Sequence, residues 1–237
     1  MTIAAHYIGN ELELFGHAHN WKSYYRKKLI PFITGDVLEA GAGIGETTRH
    51  LFNENVTSWT CLEPDAALAA KIQEKLIRKE LPEKCTLKIG TTNDYQAGPQ
   101  FDSIIYIDVI EHIENDQEEL LRASKLLRPG GYLVILVPAH QWLFSPFDEA
   151  IGHYRRYSKE RLKSAVPAGL QLQKINYMDC FGLFASLTNK FFLRKSYPTI
   201  QQVKFWDNYI VPVSKIADPF LFFSTGKSLI GVWKKQK

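Results

Sequence analysis

The stretch from Asp36 to Thr48, DVLEAGAGIGETT, sets Gly41, Gly43 and Gly45 directly after an apolar run. Glycine loses more backbone freedom on folding than any other residue, so a cluster of it is costly inside a regular element. It belongs where the chain turns left-handed, or where another group comes nearer to the backbone than a Cβ allows. The cluster stands where a strand hands over to a helix. The fold must therefore contain a βα turn built for close approach.

The rest of the chain repeats that handover. From Asp36 to Pro138 short apolar runs alternate with helical patterns, as parallel βαβ units do. DVLEAG, SWTCLEP, CTLKIG, FDSIIYID and YLVILVP read as five strands. The intervening helices are expected over 46–55, 65–79 and 116–127, the second with Leu68, Ile72 and Leu76 at helical spacing. RPGG breaks the third. Ser158 is a candidate N-cap for a helix over 159–168. LQLQKINYM and KSLIGVW read as the last two strands, and the segment between them is far longer than an ordinary connection. The expected fold is α/β, a doubly wound seven-stranded sheet that is mostly parallel. Its expected parts are an N-terminal helical cap over 1–35, a core over 36–180, a helical lid over 181–223 and the last strand over 224–237. Ligands of such sheets lie beyond the carboxyl ends of the strands, where the glycine turn sits.

Composition narrows the class. The 237 residues, 45% hydrophobic and 23% charged, suit one large domain. There is no apolar run of about 18 residues for a membrane span, and the first residues lack the pattern of a secretory signal. Cys61, Cys85 and Cys180 are isolated and match neither a disulfide framework nor a zinc spacing, so no metal is expected. The expected location is cytoplasmic.

Three ligand classes use a glycine turn at this place. A P-loop needs G-x-x-x-x-G-K-[ST], and no lysine stands near the turn. A dinucleotide site needs G-x-G-x-x-G, but counting from Gly41 brings Glu46 to the last position. That carboxylate would repel a pyrophosphate seated at the helix N-terminus. S-adenosylmethionine, a sulfonium cation without phosphate, tolerates the glutamate.

At this point the chain resembles a known family. VLEAGAGIG resembles the first motif of class I S-adenosylmethionine-dependent methyltransferases. Glu63 in CLEP, 22 residues after Gly41, matches the family's acidic residue at the end of the second strand. GTTNDY, FDSIIYIDVIEHI and LLRPGGYLVILVP resemble the later motifs in the expected order, over roughly residues 35–180. The resemblance implies that Glu39, Gly41, Ala42 and Gly43 form the cofactor turn, with Glu63 and Pro64 at the ribose. It places Thr91 and Thr92 at the adenine and Ile107 and Asp108 beyond the fourth strand. Trp21 and Tyr24, with Tyr25, stand on an N-terminal helix that closes over the cofactor. Many relatives carry an aspartate where this chain has Thr91; Asp94 follows and is expected to cap a turn.

Methyl transfer is an in-line displacement that depends on alignment, and a base is needed only for a protonated nucleophile. The candidate bases are His153, His140 and His112. The acceptor side lies beyond the fourth and fifth strands, where GHYRRY (152–157) resembles a signature of a bacterial subgroup linked to lipid and polyketide pathways. Two arginines in a loop can hold a carboxylate or phosphate, so Tyr154, Arg155, Arg156 and Tyr157 are candidate acceptor contacts. The alternative is that the arginines pair with Asp148, Glu149 or Glu160 and lock the loop.

The formal charge of +4 hides an asymmetry. Residues 181–237 hold nine Lys and Arg against Asp207 and Asp218, with 12 of the 30 aromatic residues. Phe184, Leu187, Phe191 and Arg194 stand at helical spacing, with Lys190, Phe192 and Lys195 beside them. An aromatic, basic lid suits a small-molecule or lipid-like acceptor and peripheral contact with the inner face of a membrane through 181–223. Ordinary core packing of these aromatics is the competing reading. Nucleic acid is not expected as a partner, because the basic residues are interleaved with bulky apolar ones. An RNA methyltransferase, or a cofactor-binding partner protein without turnover, remain as alternatives.

Overall fold

The computed structural model describes residues 11–188 and 198–236. Its centre is a seven-stranded sheet of order β3-β2-β1-β4-β5-β7-β6. The strands are β1 (Gly35–Ala40), β2 (Val56–Glu63), β3 (Cys85–Ile89), β4 (Phe101–Ile107), β5 (Leu127–Pro138), β6 (Leu170–Met178) and β7 (Ser228–Lys235). The first five pair in parallel. β7 runs antiparallel to both β5 and β6. The chain order reverses between β1 and β4, and that reversal opens the crevice at the carboxyl edge.

The helices cover both faces. They are α1 (Glu11–Gly16), α2 (His19–Leu29), α3 (Glu46–Leu51), α4 (Ala66–Ile77), α5 (Asp116–Leu126), α6 (Pro146–Ala150), α7 (Lys159–Ala165), α8 (Cys180–Thr188), α9 (Ile200–Phe205) and α10 (Val211–Phe220). A π-helical turn, Trp206–Ile210, joins α9 to α10. The central strands read as continuous apolar runs because both of their faces are covered. Ile104, Ile105, Leu133, Val134, Ile135 and Leu136 have no exposed surface.

Local chemistry explains most boundaries. The Asp65 carboxylate accepts from the N–H groups of Ala67 (2.8 Å) and Leu68 (3.0 Å), capping α4. Ser158 Oγ accepts from Arg161 N–H at 3.1 Å and starts α7 as expected. That helix stops at Ala165 rather than 168, because Pro167 disfavours helical geometry in the residue before it. α3 is also shorter than expected. β5 begins earlier than expected, at Leu127 rather than Tyr132. The RPGG segment is absorbed as a register shift, with Phe101 opposite Leu127 and Ser103 opposite Tyr132. Gly131 is required there, since a Cβ would stand 2.8 Å from the Asp102 carbonyl oxygen.

Between β6 and β7 the chain forms α8, α9 and α10, and their inward side is mixed, with Val203, Trp206 and Val211 in the core. The inward side carries carboxylates. Asp207 Oδ1 accepts from Trp21 N–H at 2.8 Å and Oδ2 from Asn20 N–H at 3.0 Å, so the tail caps α2 from across the fold. Asp218 accepts from Tyr24 Oη (2.7 Å) and from the N–H groups of Asp179 (2.7 Å) and Cys180 (3.0 Å). Asp179 accepts from Ser214 Oγ (2.6 Å) and Trp206 Nε1 (2.7 Å). All three carboxylates are buried and supplied with donors, as buried charges must be. The outward side of the same run shows Phe205, Tyr209, Val213, Ile216 and Phe220, all exposed. Lys190, Phe191, Phe192, Arg194 and Lys195 lie outside the described residues.

Candidate functional site

The carboxyl edge of the sheet opens into a cleft of ≈1620 Å³. A site for one small ligand takes about 300–1,000 Å³, so the cleft has room for two. The glycine turn forms one wall. Gly41, Gly43 and Gly45 have φ of +67°, +58° and +77°, which an L side chain adopts only with strain. At Gly41 a Cβ would stand 2.8 Å from both Val109 methyls. The close approach at this glycine is therefore made by the protein's own β4–α5 connection. Gly41 and Ala42 donate to Leu62 O at 2.8 and 3.1 Å, which fixes the turn against the end of β2.

Glu63 lies at the floor, 4% exposed. Its Oε2 accepts from Gly43 N–H at 2.7 Å and its Oε1 from Asp65 N–H at 3.0 Å. Burial raises its pKa against those two hydrogen bonds. Pro64, Thr91, Thr92, Ile107, Asp108 and Trp21 also line the cleft. Thr91 opens a capping box in which Asp94 Oδ2 accepts from Thr91 N–H at 2.7 Å, so Asp94 caps the turn as expected. The Thr92 hydroxyl is engaged by Glu119 Oε2 at 2.7 Å. Asp108 has φ +53°. Its carboxylate is exposed to the open cleft, and the protein crowded around it raises its pKa above the ordinary carboxylate value.

Two expected cofactor residues point elsewhere. Glu39 does not line the cleft; it accepts from Trp59 Nε1 at 2.8 Å and from the Thr48 hydroxyl. Its burial raises its pKa to about 7. Tyr24 turns to Asp218, and its neighbour Tyr25 lines the cleft instead. One helical step separates the two side chains by about 100°, so both cannot face the same opening.

The 152–157 loop divides. His153 and Arg156 line the cleft, as does Tyr154 with 53% exposure. Arg155 turns away and donates to the carbonyls of Ile113 (2.8 Å) and Glu114 (2.6 Å), with Asp116 at 3.0 Å. Tyr157 is fully buried and donates to Asp116 Oδ2 at 2.7 Å. Arg155 and Tyr157 therefore hold the loop and do not reach an acceptor. Arg156 makes a bidentate pair with Asp148, Nε to Oδ1 at 2.8 Å and Nη2 to Oδ2 at 2.9 Å. Burial would raise the Asp148 pKa, but hydrogen bonds from His153, Arg156 and Ser145 overcome it and hold the carboxyl well below its ordinary range.

Of the candidate bases, His140 lies outside the cleft lining. Its ring stacks on Tyr177 at 4.7 Å, and burial lowers its pKa. His112 and His153 meet in the cleft wall with ring centroids 4.5 Å apart. Desolvation lowers the His112 pKa to about 4. Sequence reasoning missed Lys227. It enters the cleft from the start of β7 with Nζ 3.5 Å from the Trp206 ring centroid and 3.8 Å from Asp179. Nothing local in TGKSLIGVW marks it.

Residues 38–133 match the profile of a family described as methyltransferase domain. That span holds the glycine turn, Glu63, Thr91 and Asp108. Over that span the chain is similar to a methyltransferase domain. The domain is 30% identical over 104 residues to a ubiquinone biosynthesis O-methyltransferase of Rickettsia bellii, covering 42% of this chain and 40% of that one. It is 31% identical over 108 residues to the hybrid PKS-NRPS synthetase thnA of Trichoderma harzianum, covering 42% of this chain and 3% of the relative. The chain thus spans well under half the length of these curated relatives. Among solved structures, the domain resembles the N-methyltransferase NodS of Bradyrhizobium japonicum, bound to S-adenosyl-l-homocysteine (TM-score 0.56, 12% identity, 90% of this chain and 84% of that). It also resembles the [4+2]-cyclase SpnF (TM-score 0.62, 13% identity, 92% and 80%). A third likeness is to a protein complexed with the Haloferax volcanii Trm112 methyltransferase activator (TM-score 0.65, 14% identity, 96% and 95%). Identities this low establish the shared fold alone, and the fold hosts more than one chemistry. No helix among the described residues is long and apolar enough to cross a membrane.

Proposed function

We propose that the chain is an S-adenosylmethionine-dependent methyltransferase whose acceptor is a lipid-like small molecule met at a membrane surface. The observation that carries the reading is the exposed face of the tail. Helix α9 and the π-helical turn wall the cleft, and the run from Phe205, at the cleft's edge, through α10 exposes an apolar stripe. Phe205, Tyr209, Val213, Ile216 and Phe220 follow one another at three- and four-residue steps, with exposures from 47 to 79%. A soluble protein normally buries such a stripe. Lys204 and Lys215 stand beside it, and the tail is basic overall, as contact with anionic headgroups requires.

The cleft fits the cofactor's chemistry. A carboxylate offers about four lone-pair sites, and the Glu63 oxygens use one each on Gly43 and Asp65. The remaining sites suit two neighbouring ribose hydroxyls. S-adenosylmethionine would supply an electrophilic methyl group on sulfur. Trp21 and Tyr25 close the cleft from α2, whose N-terminus Asp207 fixes, and so keep water out. Asp108, Lys227, His153 and Arg156 would orient the polar end of the acceptor, while the apolar tail helices receive the remainder. Alignment of this kind can supply about 7–11 kcal/mol of the barrier.

The test has two arms. Calorimetric titration with S-adenosylhomocysteine addresses the cofactor half, and binding in the micromolar range is expected. Transfer of labelled methyl from S-adenosylmethionine into a total lipid extract, against a water-soluble metabolite fraction and total RNA, addresses the acceptor. Label in the lipid fraction is expected. Label confined to the aqueous fraction or to RNA overturns the lipid-like acceptor.

A further inference from the structure

Beside the cofactor pocket, the wall of the cleft carries a group that the transfer reaction leaves unexplained. Glu111, in the turn after β4, has no exposed surface, and neither carboxylate oxygen has a hydrogen-bond partner. A buried carboxylate without donors is among the most costly arrangements a fold can hold. Protonation would remove the charge but leave a buried hydroxyl with no acceptor. The neighbours of this carboxylate are two imidazoles. His112 follows it in the same turn, and His153 comes from the 152–157 loop with Nε2 3.9 Å from Glu111 Oε1. One donor atom from each of the three residues lies within 4.8 Å of the others.

We propose that Glu111, His112 and His153 bind a divalent transition-metal ion in the wall of the cleft. A carboxylate with two imidazoles is a donor set for ions such as Zn²⁺, Co²⁺ or Fe²⁺. Bonds of about 2.0–2.2 Å place neighbouring ligand atoms roughly 3–3.5 Å apart, so the three side chains would draw together around a bound ion. The second ring nitrogen of His153 supports the assignment. Nδ1 is held by Asp148 Oδ1 at 2.8 Å, the carboxylate–histidine pairing that orients a metal-bound imidazole. Asp148 is itself fixed by the bidentate contact from Arg156. Backbone groups of Ile151 and Gly152 hold the His112 ring. All three residues line the cleft, Glu111 from beneath its surface, so a bound ion would face the cleft on the side away from Glu111. An oxygen of an acceptor molecule would complete the shell.

The site rests on the proposed function only in that last step, so metal binding is measured on chelator-stripped protein without cofactor. Titration with Co²⁺, followed by visible absorption, and with Zn²⁺, followed by calorimetry, is expected to give one site per chain. His112→Ala and His153→Ala should each weaken binding at least a hundredfold, and Glu111→Gln by tenfold or more. His17→Ala, at an exposed histidine outside the cleft, should bind as wild type does. Circular dichroism identifies a variant that fails to fold, and then Glu111→Gln, the smallest change in shape, decides. Wild-type binding no tighter than that of a His112→Ala/His153→Ala double variant overturns the proposal. So does a Glu111→Gln variant that binds as tightly as wild type and melts at a higher temperature, which makes Glu111 a neutral structural acid. S-adenosylhomocysteine binding, titrated separately, reports on the cofactor reading whichever way the metal result falls.

Discussion

Removing the Glu63 carboxylate should weaken binding of S-adenosylhomocysteine by one to two orders of magnitude. The carboxylate is almost fully buried at the floor of the cleft and accepts from Gly43 N–H at 2.7 Å and Asp65 N–H at 3.0 Å. It has acceptor capacity left for two hydroxyls. A hydrogen bond to a charged group contributes about 1.5–3 kcal/mol. Two would be lost in Glu63→Ala, but water entering the vacated space re-solvates the diol and the freed N–H groups. A net loss of about 1.5–3 kcal/mol remains, which is roughly ten- to a hundredfold in Kd. Glu63→Gln keeps one acceptor oxygen but turns an amide N–H₂ toward a backbone N–H, so a loss of about tenfold is expected there. Calorimetric titration of both variants measures the effect, and urea unfolding separates it from any loss of stability in the turn. If Glu63→Ala folds and binds within threefold of wild type, the ribose assignment and the geometry behind it are wrong.

Other outcomes follow from the same contacts. Glu39 has its pKa raised to about 7 by burial, against an ordinary value of 4.5. Stability should therefore be full below pH 4.5 and fall by about 3 kcal/mol as pH rises through 7. Glu39→Gln should remove that slope in urea unfolding at pH 4.5, 6 and 8, and an unchanged slope would refute the assignment. Asp207→Ala frees the N–H groups of Asn20 and Trp21. A loss of about 2 kcal/mol is expected, seen as a fall of roughly 4–8 °C in Tm. Ile216→Asp with Phe220→Asp should abolish sedimentation with anionic vesicles at low salt while leaving Tm nearly unchanged, because both side chains are exposed. Loss of a dimer in the same variant, with no vesicle binding by wild type, would assign the stripe to a second copy of the chain.

The sequence by itself determined the features that are local in the chain. Strand and helix alternation shows in the period of apolar residues, and the glycine turn shows in residue types that only a left-handed backbone calls for. The distance from Gly41 to Glu63 is one βαβ repeat, so it too could be read along the chain. Asp65 and Ser158 cap the helices next to them. Contacts between distant segments leave no such mark. Whether Arg155 or Arg156 faces the cleft depends on how an irregular loop lies over Asp116 and Asp148, and only packing sets that. Glu111 and His112 come from one turn and His153 from another segment, so nothing in their spacing joins them. Lys227 reaches the cleft because β7 reverses direction between β5 and β6. In the tail the sequence left open which face is buried. Apolar periodicity ordinarily marks the buried face of a helix, yet here Asp207, Ser214 and Asp218 turn inward with Val203, Trp206 and Val211, because α2 and the start of α8 offer backbone and hydroxyl groups for them to bind. The apolar stripe is left facing out.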